Sequence, residues 1–315
     1  CSSKCFYCDF FSQVKSASVR REYVSALCSQ IKNYGKNYLK KPSVRTAYIG
    51  GGTPTTLEAE QMDRLLKTIT ENFDLSNVLE FTVEAGRPDS ITEEKLAVIR
   101  KYPVTRISIN PQTMQQKTLD LVGRNHTVAQ TKDAFYLARK LGFDNINMDL
   151  IAGLPGEDAS DMEDTLRQVE EMHPDSLTVH ALAIKRAARY GQEGRKQDLH
   201  SEISQMIMSA ADCAKRIGLQ PYYLYRQKNI AGNFENVGYA ELDKAGIYNI
   251  LIMEEKQTIL AAGAGASTKI LLKDPIRTDS GKEINLVRCE NVKNIMEYID
   301  RVDEMIERKG EWLWR

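Results

Sequence analysis

The chain has 315 residues, 42% of them hydrophobic and 27% charged, and its 43 Lys and Arg balance 43 Asp and Glu. With an isoelectric point near 7.1, it lacks the clustered, unbalanced basic charge that a phosphate backbone selects, so nucleic acid is excluded as the expected partner. A bilayer span needs about 20 apolar residues in a row, whereas the greasiest stretch, 258–272, is broken by Ala-Gly-rich sequence and by Ser267, Thr268 and Lys269; a soluble chain with no membrane partner is expected.

The chain opens on Cys1 rather than Met, and a fragment of something longer is expected. A helix is predicted over 19–39, with Tyr23, Leu27, Ile31 and Tyr34 at three- and four-residue spacing on one face. A strand at 44–49 leads into Gly50-Gly51-Gly52-Thr53-Pro54-Thr55. A helix follows with Met62, Leu65, Leu66, Ile69 and Phe73 inward, opened by Thr55 and Glu58 as a capping box. The unit recurs: strand 78–85 with helix 92–101, strand 104–109 with helices 115–122 and 128–141, strand 145–151 with a helix starting at Ser160, and strand 176–184 with helix 199–217. Such alternation means parallel strands with crossover helices, hence a doubly wound sheet or a barrel. Past Gln220 come aromatic, Gly- and Asn-rich sequence, short apolar runs at 247–253 and 270–272, and a final helix at 292–309. This reads as a small C-terminal α+β region, with a boundary near Arg226 dividing 1–226 from 227–315.

Strands buried on both faces of an open parallel sheet are nearly all apolar, yet these alternate. Phe81 and Val83 oppose Thr82 and Glu84; Ile107 and Ile109 oppose Arg106 and Ser108; Ile146, Met148 and Leu150 oppose Asn147 and Asp149; Leu177 and Val179 oppose Thr178 and His180. Successive side chains point to opposite faces, so four neighbouring strands would present polar groups to one side, a lumen built around a polar ligand. An antiparallel sheet with one wet face gives the same alternation and stays open at this point.

A chain this long buries a large core without staples, so stability does not explain its six cysteines. Cys28, Cys213 and Cys289 are scattered singly and read as core residues; the other three, Cys1, Cys5 and Cys8, form C-x3-C-x2-C. A cytoplasmic location is expected, since a secreted chain would pair its thiols in an even framework. Structural zinc closes four positions and the earliest histidine is His126; a Cys5-Phe6-Tyr7-Cys8 dithiol leaves Cys1 unexplained. Both readings remain beside a third, a [4Fe-4S] cluster held by three thiolates with one iron open to a chelating small molecule.

The C-x3-C-x2-C loop, with aromatic Tyr7 before the last cysteine, resembles the signature of the radical SAM enzymes. There the open iron takes the amino and carboxylate groups of S-adenosylmethionine (SAM), and a 5'-deoxyadenosyl radical abstracts hydrogen from substrate. The resemblance implies a partial (β/α)6 TIM-type barrel over 1–226, with one strand upstream of Cys1, and cluster ligands Cys1, Cys5 and Cys8. It also implies SAM contacts at Tyr7, Gly51, Gly52, Thr53, Glu84, Gln112, Arg124 and Asp149, and a backbone contact to adenine at Ala183. Read alone, the glycines also fit a tight turn, and each carboxylate a structural ion pair.

Gly50-Gly-Gly-Thr-Pro-Thr55, Asn147-Met-Asp-Leu-Ile-Ala-Gly-Leu-Pro-Gly156 and Pro174-Asp-Ser-Leu-Thr-Val179 are similar to the oxygen-independent coproporphyrinogen III oxidase (coproporphyrinogen dehydrogenase) group, and 182–188, 222–227 and 233–239 to its HemZ-like branch. The implied reaction is oxidative decarboxylation of coproporphyrinogen III to protoporphyrinogen IX, with an electron donor protein serving the cluster. Such a substrate carries four carboxylates, for which Lys185, Arg186 and Arg189 are candidate partners; a solvated charged loop is the bland alternative. Phe10 stands where the decarboxylating enzymes have a further cysteine, and a haem-binding, chaperone-like protein without decarboxylase activity is the alternative function. A radical enzyme acting on another substrate is a third. His180 faces the expected lumen and is read as a core or substrate-handling histidine; His126 is read as a helix cap.

Overall fold

A computed structural model of the chain describes residues 1–8, 12–37, 43–182, 200–225, 235–277 and 280–313. These residues form two compact units that do not follow chain order. One comprises Cys1–Val14, Tyr48–Thr56 and Glu80–Gly246; the other comprises Lys15–Ala47, Leu57–Leu79 and Ile247–Arg315.

The first unit is a curled half-barrel sheet backed by helices, the partial TIM-type barrel that the sequence leads one to expect. Its strands are β1 (Thr46–Ile49, which enters from the other unit), β2 (Glu80–Gly86), β3 (Arg106–Ile109), β4 (Ile146–Ala152), β5 (Ser176–Ala181), β6 (Gln220–Tyr225) and β7 (Asn236–Ala240). They lie in the order β1-β2-β3-β4-β5-β7-β6. β2 to β5 pair in parallel, which disposes of the antiparallel reading of their alternation. Beyond β5 the sheet departs from simple βα repetition: β7 pairs antiparallel with β5, and β6 antiparallel with β7.

One face of the sheet is apolar. Phe81, Val83, Ile107, Ile109, Ile146, Met148, Leu150 and Leu177 are fully buried, and the helices of this unit also bury apolar side chains, each worth roughly 1.5–3 kcal/mol if fully removed from water. These helices are α3 (Glu93–Arg100), α4 (Gln116–Leu121), α5 (Val128–Lys140), α6 (Ala159–Met172) and α7 (His200–Arg216). Cys213 of α7 is one of the core residues, as expected. In two helices of this unit the cap differs from expectation. α6 is capped by Asp158, whose carboxylate accepts from the N–H groups of Ser160 (2.9 Å) and Asp161 (3.1 Å), so it begins before Ser160. α5 is capped by Thr127 and Gln130, and His126 is no cap.

The second unit contains α1 (Ala17–Asn37), α2 (Ala59–Asn72), α8 (Ile247–Glu254), the hairpin β8 (Ser267–Arg277) and β9 (Glu283–Glu290), α9 (Ile295–Asp300) and α10 (Val302–Leu313). α2 starts three residues later than the Thr55 box predicts: Glu58 is its N-cap, and the Glu58 N–H donates to Gln61 Oε1 at 3.0 Å. The predicted final helix breaks at Arg301 into α9 and α10. α1 and α2 approach closely because Gly35 has no side chain; a Cβ there would stand 2.6 Å from the Asn72 carbonyl oxygen. Cys28 is a core residue, whereas Cys289 is half-buried. Among the described residues, no helix is long and apolar enough to cross a membrane.

Candidate functional site

The thiol loop is pinned at several points. The Phe6 N–H donates to the Val122 carbonyl at 3.0 Å and the Cys8 N–H to that of Cys5 at 3.1 Å. Phe6 and Tyr7 pack on Val122, Ile151, Leu154 and Leu182. Gly123, at φ +72°, admits the Phe6 ring, which a Cβ would meet at 2.8 Å. Arg87, 2% exposed, donates from Nη1 to the hydroxyl (2.8 Å) and carbonyl (3.2 Å) of Ser3. Cys1 Sγ lies 3.3 Å from Thr53 Oγ1, and a Cβ on Gly52 would stand 3.4 Å from that sulfur.

Arg124 ties this loop to the ends of the strands. Its Nη2 donates to the carbonyls of Asn110 (2.7 Å) and Gly86 (3.3 Å), and its Nη1 to Tyr7 Oη (3.3 Å) with Cys5 Sγ at 3.9 Å. Nε donates to Nδ1 of fully buried His126 at 3.4 Å. Burial, then the neighbouring guanidinium, lowers the His126 pKa to about 3, so the imidazole is a neutral acceptor that orients Arg124. Burial raises the Tyr7 phenol well above its usual range.

The polar face of the strands carries a second group of contacts. Tyr48 Oη donates to Glu84 Oε1, and the Gly51 N–H to Glu84 Oε2 at 3.3 Å. Asn147 Nδ2 donates to Asp149 Oδ1 (2.7 Å), while its Oδ1 accepts from Thr178 Oγ1 (3.2 Å). Arg106, 2% exposed, donates from Nη2 to Ser176 Oγ at 3.3 Å, and its Nε has no partner. Ser108 Oγ and Asn110 Oδ1 are likewise buried without a partner. Burial raises the Glu84 pKa to about 7 against the opposing Tyr48 hydrogen bond, with the Asp149 charge adding to the rise. The strands thus do present a polar lumen, as their alternation predicts.

Gln112 is held in an uncommon conformation. Its φ is +68°, a left-handed region that costs a non-glycine residue about 1–2 kcal/mol. Two backbone bonds to β4 enforce it: the Gln112 N–H donates to the Asp149 carbonyl, and the Ile151 N–H to that of Gln112, both at 2.9 Å. Strain of this kind clusters at ligand sites.

The structure therefore joins Cys1 with Thr53, Cys5 and Tyr7 with Arg124, Glu84 with Gly51, and Gln112 with Asp149. His180 is half-buried. Ala183, Lys185, Arg186 and Arg189 lie outside the described residues, as does Phe10. Tyr48, Arg87, Arg106 and Asn147 are contacts that motif reading did not single out; for Arg106 and Asn147 the strand alternation was the available signal.

A [4Fe-4S] cluster takes each thiolate at a different iron, so its three sulfurs need not converge on one point. No group of three or more His, Cys, Asp and Glu among the described residues is arranged to hold a single metal ion, while Cys1, Cys5 and Cys8, none of them in a disulfide, share one loop. The Arg124 guanidinium supplies positive charge beside Cys5, and the side-chain-free Gly52 leaves room beside Cys1. The donor set fits a cluster.

The model of the Radical SAM superfamily matches residues 1–169. That superfamily uses a [4Fe-4S] cluster and S-adenosylmethionine. Over 320 aligned positions the chain is 43% identical to the oxygen-independent coproporphyrinogen-III oxidase-like protein HemZ of Bacillus subtilis, covering 99% of this chain and 62% of that protein. The heme chaperone HemW of Lactococcus lactis is 34% identical over 59% of this chain and 47% of its own length. Among solved structures, coproporphyrinogen III oxidase (HemN) of Escherichia coli superposes with a TM-score of 0.77 at 22% identity, over 97% of this chain and 68% of that one, a likeness of fold. The chain spans about half to three-fifths of the curated relatives it matches.

Proposed function

The chain belongs to the radical SAM superfamily, and from that premise we propose that it is an oxidoreductase of tetrapyrrole metabolism that oxidatively decarboxylates coproporphyrinogen III. The observation that carries the site is the buried Arg124 clamp, which fastens Cys5 and Tyr7 to the carbonyl ends of β2 and β3, where barrel folds build active sites. Cys1, Cys5 and Cys8 hold the cluster. Gly51, Gly52, Thr53, Glu84, Gln112, Arg124 and Asp149, with Tyr7 and the Ala183 backbone, receive SAM. Lys185, Arg186 and Arg189 pair with substrate carboxylates, and an electron donor protein serves the cluster. The bound cofactors supply one-electron cleavage of a sulfonium and hydrogen abstraction from substrate. Asp149, steered by Asn147, suits ribose hydroxyls.

A second reading, a haem carrier that keeps the cluster without decarboxylating, is favoured by the similarity to HemW and by Phe10 in place of a further cysteine. The test is anaerobic cluster reconstitution of the complete protein, then dithionite, SAM and coproporphyrinogen III, following 5'-deoxyadenosine and vinyl product together. Both are expected. Nucleoside without porphyrin product overturns the substrate, and stoichiometric haem binding without loss of CO2 selects the carrier. Changing Cys1, Cys5 or Cys8 to Ala is expected to abolish the brown iron-sulfur absorbance and both products.

A further inference from the structure

Ser3 is the midpoint of the three-residue spacer between Cys1 and Cys5, and it alone of the three is half-buried, Ser2 and Lys4 being exposed. One nitrogen, Nη1 of Arg87, donates to both its carbonyl, at 3.2 Å, and its hydroxyl, at 2.8 Å. Arg87 stands directly after β2 and is 2% exposed. Its other edge is closed by Asp89, with Nε 3.1 Å from Oδ1 and Nη2 3.3 Å from Oδ2. Its own carbonyl accepts from the Ser90 N–H at 2.9 Å, so backbone and side chain are both fixed.

A guanidinium is a rigid fork with five N–H donors. Here one edge balances the charge against Asp89, and the two hydrogens of Nη1 grip the loop. A buried ion pair is seldom the most stable filling of its space, and bracing the end of β2 needs only the Asp89 edge; the grip on Ser3 serves the loop. Arg87 and Arg124 divide that loop between them. Arg124 holds Cys5 and Tyr7 in the second half, Arg87 holds the first half, and both are fastened at the end of β2, where Arg124 Nη2 donates to the Gly86 carbonyl.

We propose that Arg87 is a positioning residue for the iron-sulfur cluster: by fixing Ser3 it sets the span between the Cys1 and Cys5 thiolates before the metal arrives. This rests on the assignment of Cys1, Cys5 and Cys8 to a cluster made above. Each thiolate meets a different iron, so with three residues between the first two, pinning the middle one limits where both ends can go. A spacer left free would have to be ordered at each loading, at a cost in chain entropy. Lysine is no substitute, because an ammonium drawn to Asp89 has no second prong for Ser3.

The test uses the complete protein with its cluster reconstituted anaerobically. Iron release to a ferrous chelator is followed by the fading of the brown absorbance in wild type, Arg87→Lys, Ser3→Ala, Ser3→Thr and the double variant of Arg87→Lys with Ser3→Ala. Arg87→Lys is expected to release iron about tenfold faster than wild type, and Ser3→Ala, which keeps the carbonyl bond, about threefold faster. Ser3→Thr keeps the hydroxyl and is expected to restore retention to within about twofold of wild type. The double variant is expected to lose iron no faster than Arg87→Lys alone, because both substitutions cut the same contact. Release from Arg87→Lys within about twofold of wild type, or single effects that multiply in the double variant, overturns the proposal and leaves Arg87 a structural partner of Asp89. Should Arg87→Lys fail to fold, the two Ser3 variants decide: equal release from Ser3→Ala and Ser3→Thr overturns it. If Cys1→Ala, Cys5→Ala and Cys8→Ala all take up iron as wild type does, or wild type takes up none, the cluster assignment falls, and the proposal with it.

Discussion

Each unit of the molecule buries a polar cluster, and the two are built on opposite terms. In the second unit, Lys309, 1% exposed, donates from Nζ to Asn291 Oδ1 (2.6 Å), the Ala261 carbonyl (2.9 Å) and Tyr34 Oη (3.1 Å). Gln30 Oε1 accepts from Tyr298 Oη (2.7 Å) and the Gly263 N–H (3.0 Å), and Asn291 Nδ2 donates to the Gly263 carbonyl (2.6 Å). No side-chain atom of that network is left without a partner, whereas the barrel face strands Arg106 Nε, Ser108 Oγ and Asn110 Oδ1. A satisfied network fastens segments distant in sequence; an unsatisfied one stores capacity for something that is not protein.

Breaking the satisfied cluster carries the largest expected effect on stability. Lys309→Met removes three hydrogen bonds worth about 1 kcal/mol or more each, although the Ala261 carbonyl keeps Tyr34 Oη and Thr268 Oγ1 as donors and Asn291 Oδ1 keeps Gln30 Nε2. Denaturant unfolding of the cofactor-free protein is expected to show a loss of about 3 kcal/mol or more, with iron-sulfur loading of the surviving folded protein unchanged. A loss below about 1 kcal/mol would mean that the cluster does not hold its unit together.

Burial also lowers the Lys309 pKa from the usual 10.5 to about 7. Between those values the unfolded chain binds a proton that the folded chain does not, so stability rises with pH across that window, by up to about 1.4 kcal/mol per pH unit. Below about pH 7 both states are protonated and the contribution is flat. The geometry accommodates the neutral amine, because two amine hydrogens serve Asn291 and Tyr34 Oη while the Ala261 carbonyl keeps Tyr34 Oη and Thr268 Oγ1 as donors. Lys309→Met is expected to remove this slope, read from unfolding midpoints between pH 7 and 10.

The smallest effect has the opposite sign. Ser108→Ala removes a hydroxyl that is buried without a partner, and the cofactor-free protein is expected to gain about 1 kcal/mol. A comparable loss would show that Ser108 is satisfied after all, and would narrow the contrast between the two clusters.

Glu84 and Asp149 were legible in the sequence because strand alternation fixes the face a residue occupies without knowledge of its neighbours. Arg106 and Asn147 stood on the same face, but their partners, Ser176 and Thr178, are set by strand pairing, which a single sequence does not carry. The phenol of Tyr48 was hidden for the same reason, although Gly50, where a Cβ would stand 2.7 Å from its ring, marked a crowded backbone. Thr55 looked like a cap, yet its hydroxyl donates to the Ala85 carbonyl at 2.8 Å and lies 2.6 Å from Ser90 Oγ, a tertiary use that overrode the local one. The antiparallel return of β7 between β5 and β6 had no local signature. Lys309 resembled any basic residue near a helix end, where solvent and the helix dipole are its usual company; only the folded neighbourhood of Gln30 and Asn291 makes it a core residue.

The anchor that shapes the thiol loop lies far downstream: Arg124 meets Cys5 across 119 positions of chain. During synthesis the cysteines therefore emerge before their anchor and wait as oxidisable thiols while the strands that will seat them are still being made. Iron and sulfide delivered in that interval would find no shaped receptacle, which puts maturation of this protein after translation has passed β3 and α4 rather than alongside it.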